Sequence, residues 1–436
     1  MTARVLMIAG AASGTGKTTV TAGLIAALRR RGLIVHPVKA GPDYIDAAFH
    51  AVAAGAACRN LDSWAMDARL LETVIAEAGE GADIVLIEAA MGLFDGLPGP
   101  KGARGAAADL AAKFGIPVAL VLDVGGQAQT SAAVARGLAA HDPAVHVAGV
   151  ILNRVAGDRH RDFIAEAMAA VPVRVFGALA RSGAWALPSR HLGLVQAGEH
   201  PDLADRLGCL AEALEAGVDL DAVLAAAESI GGGGPRRIAL PPPGKRIALA
   251  DDAAFSFIYQ HMLDGWRSAG TSVTRFSPLA DEPVPADADC VWLPGGYPEL
   301  HAAGLSAARR FRDSIVAFAE TRPVHGECGG YMVLGAWLED AEGTRHPMVN
   351  LLGHCTSFRQ KKLTLGYREA TLRAASPLGP AGGAVRGHEF HYSRLVEPGS
   401  DEPLAELADG RGASLGPAGS RRGNVSGTWF HAIATA

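Results

Sequence analysis

Residues 10–19 read GAASGTGKTT, and this glycine-rich segment is the strongest indication of the fold of the first half. The apolar run Val5–Ala9 precedes it, and Thr18–Arg31, rich in alanine and leucine at helical spacing, follows it. A strand, a glycine-rich loop and a helix in this order are typical of a phosphate-binding loop, because the loop amides and the helix N-terminus direct N–H groups at phosphate oxygens. The strict motif has glycine where this chain has Ala11. We therefore predict a site for a nucleoside triphosphate formed by Ser13, Gly14, Thr15, Gly16, Lys17, Thr18 and Thr19.

A bound triphosphate usually carries Mg²⁺, which prefers hydroxyl and carboxylate oxygens. Thr18 offers a hydroxyl, and Glu88 follows four apolar residues at the end of a predicted strand. Lys39 and Asp43 come directly after another predicted strand, Ile34–Val38, and could bind a substrate carboxylate or the metal. The pattern predicts Thr18, Glu88 and Asp43 as the metal ligands.

Apolar runs alternate with helix-like segments along the whole chain, which predicts the α/β class with mostly parallel sheets flanked by helices. Helical spacing also predicts a helix over Leu61–Glu77. The strands predicted in the first half are Val5–Ala9, Ile34–Val38, Ile84–Ile87, Val118–Asp123, Val147–Leu152 and Val175–Ala178. Those predicted in the second half are Arg246–Ala250, Val273–Phe276, Cys290–Leu293 and Pro323–His325.

A break in composition separates two predicted domains. Residues 231–234 are four consecutive glycines and residues 241–243 are three prolines, so a flexible stretch is followed by a stiff one, as expected of a linker. We predict one domain at 1–230, a linker at 231–246 and a second domain at 247–436.

Composition excludes several classes of protein. The 436 residues are 49% hydrophobic and 19% charged, which is ample for large cores and argues against disorder. A net charge of −5 predicts neither a nucleic acid nor a membrane as partner. Five cysteines without regular spacing predict reduced thiols and a cytoplasmic protein. The sequence does not define the oligomeric state, for which a homodimer is one option.

Cys328 is the predicted nucleophile of the second half. Gly326 and Gly330 flank it in the spacing of a nucleophile elbow, a sharp turn between a strand and a helix that exposes the side chain. A helix N-terminus should also lower the pKa of the thiol. The amides of Gly329, after the cysteine, and of Gly296, in a strand-ending glycine pair, are the predicted oxyanion hole.

A thiol nucleophile needs an imidazole as its base. His325 lies three residues before Cys328, on the strand side of the elbow, which is poor geometry for a base. His388, His391 and His431 are the other candidates, and the sequence pattern does not choose between His391 and His431.

The second half resembles a class I glutamine amidotransferase domain in its motifs GECGGYM at 326–332 and PGGYPEL at 294–300 and in its late histidine. The first half resembles the dethiobiotin-synthetase-like ATPases. The motifs that carry this second resemblance are GTGKTT at 14–19, KAGPDYID at 39–46, EAAMGLFDG at 88–96 and LPSRHLGL at 187–194.

The two halves in this order, with GHEFHYSR at 387–394 between nucleophile and C-terminus, resemble the cobyrinic acid and hydrogenobyrinic acid a,c-diamide synthase family. The resemblance implies an ATP-dependent amidation of the a and c side-chain carboxylates of a corrinoid, with Mg²⁺ and with L-glutamine as nitrogen donor. It implies Cys328 as nucleophile and His431 as base. No carboxylate stands two residues after His431, so a Cys–His dyad is expected rather than a triad.

The resemblance also places Asp43, Tyr44 and Asp95 near ATP, the metal or the corrinoid. Together with Lys39, which the pattern after the second predicted strand indicates, they are the predicted substrate-binding set. Three alternatives have related chemistry: a cobyric acid synthase, a nickel-sirohydrochlorin a,c-diamide synthase, and a glutaminase fused to an unrelated ligase. A MinD-like ATPase switch is the non-enzymatic alternative, but it predicts a membrane-targeting helix and has no use for a nucleophile elbow.

Overall fold

The chain divides into two compact units, Met1–Arg236 and Arg237–Ala436, in a computed structural model. The structure describes residues 3–185, 189–190, 193–194, 202–231 and 234–436. Half of the motif at 187–194 lies outside the described residues, and so do two of the four linker glycines. The predicted domain limits of 1–230 and 247–436 stay a prediction.

The first unit alternates strands and helices, as its sequence predicts. Its described strands are β1 Arg4–Gly10, β2 Val35–Ala40, β3 Arg59–Leu61, β4 Ile84–Glu88, β5 Val118–Asp123, β6 Val147–Val155, β7 Arg174–Ala180, β8 Ser189–Arg190, β9 Gly193–Leu194 and β10 Glu228–Ser229. Its described helices are α1 Lys17–Arg30, α2 Ile45–Ala54, α3 Ala68–Gly79, α4 Ala107–Phe114, α5 Thr130–His141, α6 Asp158–Met168, α7 Leu203–Gly217 and α8 Leu220–Ala226.

The main sheet of this unit has the strand order β3-β2-β4-β1-β5-β6-β7, with all neighbours parallel, and β10 adds to β1 in the antiparallel sense. β1 is buried along nearly its whole length, which explains its continuous apolar run. The register pairs Lys39 of β2 with Glu88 of β4. The carboxyl ends of these strands therefore collect the predicted polar residues at one edge of the sheet.

The second unit contains one mainly parallel sheet and two smaller sheets. Its strands are β11 Arg246–Ala250, β12 Ser272–Phe276, β13 Cys290–Leu293, β14 Val324–Glu327, β15 Trp337–Glu339, β16 Arg345–Pro347, β17 Cys355–Ser357, β18 Thr364–Leu372, β19 Ala384–His391, β20 Arg394–Glu397, β21 Ala405–Asp409, β22 Ser414–Ala418, β23 Ser420–Arg422, β24 Val425–Thr428 and β25 Phe430–Thr435. Its α-helices are α9 Gln260–Ser268, α10 Ala302–Ala307, α11 Arg309–Ala319 and α12 Gly329–Leu334.

The largest sheet of the second unit has the order β12-β11-β13-β14-β24-β23, in which only β23 is antiparallel to its neighbour. The other two sheets have the orders β16-β15-β17-β20 and β22-β21-β18-β19-β25. Apolar side chains of β11, β13, α11 and α12 form one buried core. The α/β class and the parallel sheets flanked by helices are confirmed in both units. None of the helices among the described residues is long and apolar enough to cross a membrane.

The predicted helix over Leu61–Glu77 is wrong at its start, because β3 ends at Leu61 and α3 begins only at Ala68. The Asp62 carboxylate accepts hydrogen bonds from the backbone N–H groups of Trp64 and Ala65, both at 2.9 Å, and this turn competes with a helix. Asp67 then caps α3 by accepting from the Leu70 N–H at 2.8 Å.

Replacing this cap should destabilise the first unit. We expect Asp67→Ala to lower the free energy of unfolding by about 1 kcal/mol, because the Leu70 N–H loses its acceptor. Glu72→Ala, on a side chain 47% exposed on the same helix, should change it by less than about 0.5 kcal/mol. Urea unfolding followed by circular dichroism measures both, and equal losses would contradict the assigned helix start.

Candidate functional sites

The loop between β1 and α1 has the conformation that a phosphate-binding loop requires. Gly16, the residue before α1, has a φ of 91°, and a Cβ placed on it would lie 2.2 Å from Nδ2 of Asn153. The same Nδ2 donates to the Thr15 carbonyl at 2.9 Å and so fixes the loop from β6. Lys17 Nζ donates to the Ala12 carbonyl at 2.9 Å. The predicted strand–loop–helix unit is confirmed.

A cavity of about 370 Å³ lies beside this loop, and residues 11–15 form one of its walls. Another wall is lined by Asp123 at the end of β5, Gln127 in the loop that follows and Ser131 in α5, together with apolar side chains. The loop therefore borders a space in which a small ligand can be held.

Glu88 is the centre of a buried charge cluster at the carboxyl end of β4. It is fully buried and accepts from the Thr18 hydroxyl at 2.8 Å. Lys39 Nζ lies 3.0 Å from Glu88 and 2.6 Å from Asp46. His50 Nε2, also fully buried, is hydrogen-bonded to the second Glu88 oxygen. A buried carboxylate is tolerated only with such partners.

The charges in this cluster fix its protonation states. Burial would raise the pKa of Glu88, but Lys39 and His50 outweigh it and hold the pKa at about 2. Burial would lower the pKa of Lys39, but Asp46 and Glu88 raise it above its ordinary value. Burial lowers the pKa of Lys17, and Glu88, Asp46 and Asp95 oppose that shift. At neutral pH, Glu88 is therefore a carboxylate and Lys39 an ammonium.

The second carboxylate beside the Thr18 hydroxyl, after that of Glu88, belongs to Asp46 and not to the predicted Asp43. Thr18 Oγ1 lies 3.2 Å from Asp46 Oδ2. Asp43 accepts at Oδ1 from the N–H groups of Ile45 and Asp46, so it caps the start of α2, and its other oxygen lies 3.7 Å from Lys39 Nζ. The geometry thus favours Asp46 over Asp43 as the neighbour of a metal.

The other residues of the predicted substrate-binding set lie close to this cluster. Tyr44 is buried just before α2. Asp95 accepts from the Gly92 N–H at 2.8 Å and is near enough to Lys17 to affect its pKa. Lys39 is only 1% exposed, and its ammonium is paired with the carboxylates of the cluster.

Sequence reasoning missed Asp46, His50 and Asn153. Asp46 and His50 lie four residues apart on α2, and that spacing, which puts two side chains on one helix face, is the signal that would have found them. Asn153 carries a weaker signal, since it is a polar residue near the end of an apolar strand. Its hydrogen bond to Thr15 joins residues 138 positions apart and depends on the strand order.

The donor atoms at this site fit Mg²⁺. Thr18 offers a hydroxyl oxygen, and Glu88 and Asp46 offer carboxylate oxygens next to it. Mg²⁺ prefers oxygen ligands and is usually held by one or two protein side chains together with substrate phosphates. Among the described residues, no three His, Cys, Asp or Glu side chains are grouped to hold a metal by themselves.

The second site is built on a strained turn. Cys328 follows β14 with a φ of 47°, which is rare for a residue with a side chain. A Cβ on Gly326 would lie 2.7 Å from backbone atoms of Gly330, and a Cβ on Gly330 would lie 2.0 Å from the Leu293 carbonyl oxygen. Both positions therefore require glycine, and the predicted nucleophile elbow is confirmed in its local structure.

Two backbone amides meet at the sulfur of Cys328. The backbone N–H groups of Gly329 and Gly296 are near enough to lower the pKa of the thiol. A Cβ on Gly329 would lie 3.0 Å from the Gly296 nitrogen, so the two segments are in close contact. These are the amides predicted for the oxyanion hole, and the structure brings them together at the nucleophile.

The expectation of a lowered thiol pKa is wrong for the free protein. Burial raises the pKa of Cys328, and the negative charges of Glu299 and Glu389 add to this rise. The backbone N–H groups of Gly329 and Gly296 act in the opposite direction but do not reverse it. Because the cysteine is only 3% exposed, loss of hydration outweighs the helix N-terminus.

His431 lies on β25, directly against the glycine loop. A Cβ on Gly295 would lie 2.1 Å from Cε1 of His431, and the amide of the next residue, Gly296, lies near the Cys328 thiol. Burial, reinforced by His388 and His391, lowers the pKa of His431 to about 3. The imidazole is therefore neutral near pH 7.

The other histidine candidates are engaged elsewhere. His325 is fully buried on β14 with its Nδ1 2.9 Å from the Ser426 hydroxyl. His391 Nε2 lies 2.7 Å from Glu389, its Nδ1 donates to the Ser393 carbonyl at 2.8 Å, and its ring stacks on Trp429. His388 pairs with His431 across β19 and β25, and burial lowers its pKa to about 4. The geometry thus favours His431 as the base.

Comparison with known proteins bears on both units. Residues 6–195 match the CobQ/CobB/MinD/ParA nucleotide binding domain, and residues 246–436 match the CobB/CobQ-like glutamine amidotransferase domain. A hydrogenobyrinate a,c-diamide synthase of Mesorhizobium japonicum is 54% identical over the whole of both chains. The chain belongs to the hydrogenobyrinate a,c-diamide synthase family.

Two further members of this family are similar to the chain over almost their full length. The hydrogenobyrinate a,c-diamide synthase of Agrobacterium fabrum is 54% identical, covering 100% of this chain and 99% of the relative. That of Rhodobacter capsulatus is 55% identical and covers 98% of each chain. A nucleotide-binding unit followed by a glutamine amidotransferase unit is thus the organisation of this chain.

The buried thiol should react slowly with alkylating agents. At pH 8 we expect iodoacetamide to modify the exposed Cys209 faster than Cys328, because a raised pKa and burial both reduce the accessible thiolate. The rate at Cys328 should still rise up to pH 9 without a plateau. Peptide mass mapping over time measures both sites, and preferential labelling of Cys328 at pH 7 would contradict the assigned environment.

Proposed function

We propose that this protein amidates the a and c side-chain carboxylates of hydrogenobyrinic acid, or of its cobalt-containing counterpart cobyrinic acid. ATP activates each carboxylate and glutamine supplies the nitrogen. The observation that carries the proposal is that one chain combines a glycine-rich strand–loop–helix unit with a cysteine elbow, over a length matched by named hydrogenobyrinate a,c-diamide synthases.

The glutaminase half-reaction belongs to the second unit. Sγ of Cys328 attacks the side-chain amide carbon of glutamine, and His431 accepts the thiol proton. The N–H groups of Gly296 and Gly329 stabilise the resulting oxyanion. His431 returns its proton to the nitrogen, ammonia leaves, and water hydrolyses the thioester to glutamate and free thiol. These reaction steps start from a neutral His431 imidazole and a protonated Cys328 thiol.

The activation half-reaction belongs to the first unit. A carboxylate oxygen of the substrate attacks the γ-phosphorus of ATP, ADP leaves, and an acyl phosphate forms. Ammonia then attacks the carbonyl carbon and displaces phosphate, which leaves the amide. Lys17 and the loop amides hold the phosphates, since phosphoryl transfer depends mainly on positioning and charge stabilisation.

The proposed metal is Mg²⁺, with Thr18, Glu88 and Asp46 as the side chains that would hold it. When bound, Mg²⁺ neutralises triphosphate charge. Lys39 and His50 keep Glu88 ionised and oriented toward Thr18. Asp43, Tyr44 and Asp95 remain our proposed contacts to the substrate.

We assign the preferred corrin ring from the names of the relatives, and the cellular location from the reactants and the free thiols. The named relatives are hydrogenobyrinate enzymes, which favours the metal-free ring over cobyrinic acid. We place the protein in the cytoplasm, where ATP and glutamine are available and free cysteines stay reduced. A homodimer without nucleic-acid or membrane partners is the assembly we propose.

Replacing the nucleophile separates the two nitrogen sources. Cys328→Ser should lower glutamine-dependent amidation by at least about 10³-fold, because the hydroxyl is a far weaker nucleophile in this setting. Amidation with ammonium chloride should stay within about twofold of the wild-type rate. Cys209→Ser, at an exposed cysteine, serves as control, and loss of both activities in Cys328→Ser would overturn the two-site assignment.

Removing the loop lysine should affect both nitrogen sources equally. Lys17→Ala is expected to lower amidation from glutamine and from ammonia by at least about 10²-fold, since carboxylate activation precedes the attack of ammonia. Lys101→Ala, on a side chain 75% exposed, should leave both rates unchanged. Product formation is followed by liquid chromatography, and selective loss of the glutamine reaction alone would contradict the assigned role of Lys17.

A further inference from the structure

A buried carboxylate, Glu327, directly precedes the nucleophile. It ends β14 and is only 2% exposed. A carboxylate in such a place is costly unless its oxygens are hydrogen-bonded. The proposed half-reaction gives Glu327 no part, since Cys328, His431 and two glycine amides account for every step. Its burial next to the nucleophile therefore calls for a separate explanation.

Glu327 binds the strand that carries the base. Its Oε1 accepts the backbone N–H of Ala432 at 3.0 Å, and Ala432 is the residue after His431. The contact is buried and joins positions 105 residues apart in sequence. The nucleophile and the base are thus connected through one carboxylate, which is adjacent in the chain to Cys328 and hydrogen-bonded next to His431.

The backbone on the far side of Cys328 is fixed by the sheet. Glu327 pairs with Thr428 between β14 and β24, and the Cys328 N–H donates to the Thr428 carbonyl at 2.8 Å. With this anchor in place, the Glu327 side chain links the segment with His431 to the elbow.

The strand β25 is irregular at the point where Glu327 holds it. β19 and β25 pair Gly387 with Ala432 but Arg386 with Ala434, so the register shifts by one residue after Ala432. An extra residue of this kind bends a strand and redirects its side chains. A hydrogen bond from outside the pair to the Ala432 N–H fixes the strand just where its own ladder is interrupted.

We propose that Glu327 is a positioning residue for the glutaminase reaction, acting on His431 through the Ala432 amide. This proposal rests on the glutaminase function proposed above. A catalytic triad would have a carboxylate two residues after His431, but this chain has Ile433 at that position. The proposal explains how His431 is oriented without that carboxylate. The base is oriented through its backbone by the residue before the nucleophile. The relevant property of Glu327 is the reach of its oxygen, not its charge.

Two variants separate the effect of the position of the Glu327 oxygen from the effect of its charge. Glu327→Gln keeps an acceptor oxygen at the same distance from the backbone but removes the charge. Glu327→Asp keeps the charge but withdraws the oxygen by one carbon–carbon bond, roughly 1.5 Å. Glu320→Asp, at an exposed carboxylate of the same unit, is the matched control. Glutamine hydrolysis and ammonia-dependent amidation are measured for the full-length enzyme and for all three variants.

We expect Glu327→Gln to keep the kcat of glutamine hydrolysis within about threefold, and Glu327→Asp to lower it about 10²-fold with little change in KM, because a displacement of about 1 Å at a reacting group has that effect. Ammonia-dependent amidation and the melting temperature should be unchanged in both. A Gln variant as inactive as the Asp variant would assign the effect to charge and overturn the proposal.

Two other results would overturn it as well. Wild-type kcat in Glu327→Asp would mean that the oxygen has no positioning role, and loss of ammonia-dependent amidation in both variants would mean a role in folding. Absence of glutaminase activity in the wild-type enzyme would instead refute the proposed function itself. The wild-type enzyme tests the proposed function, and the variants test the role of Glu327. Failure of one proposal is therefore distinguishable from failure of the other.

Discussion

Cys328 has a backbone conformation that residues with side chains rarely adopt, and the surrounding segments of the second unit have to accommodate it. Gly326 and Gly330 leave no room for a Cβ, so the chain can turn sharply and bring the sulfur to the amides of Gly296 and Gly329. The same close packing excludes water from the thiol. The turn that presents Cys328 therefore also places its thiol in surroundings that raise its pKa.

The first unit meets a different constraint, which is the burial of charge. Glu88 has no access to water, and its ionised form depends on Lys39, His50 and Thr18. Because these partners come from β2, α2 and α1, the cluster also joins three elements at the edge where the phosphate-binding loop lies. Removing one partner would leave a buried charge uncompensated, so electrostatics and fold depend on one another here.

The sequence predicts those features that local chemistry determines. Glycine spacing at Gly14–Gly16 and around Cys328 predicts both loops, and apolar runs predict the parallel strands. It does not predict the pKa of Cys328, because burial comes from β-strands and loops remote in sequence. The choice of Asp46 over Asp43 depends on which of them caps α2. The contact of Asn153 with Thr15 depends on the strand order, which periodicity does not contain.

We propose that one chain couples ATP and glutamine to two amidations of a corrin ring. The most direct measurement is mass spectrometry of hydrogenobyrinic acid and cobyrinic acid after incubation with the protein, ATP, Mg²⁺ and glutamine. We predict two successive carboxylate-to-amide mass changes that require ATP, with hydrogenobyrinic acid as the preferred ring. No amidation of either ring, with glutamine hydrolysis intact, would contradict the account of the first unit.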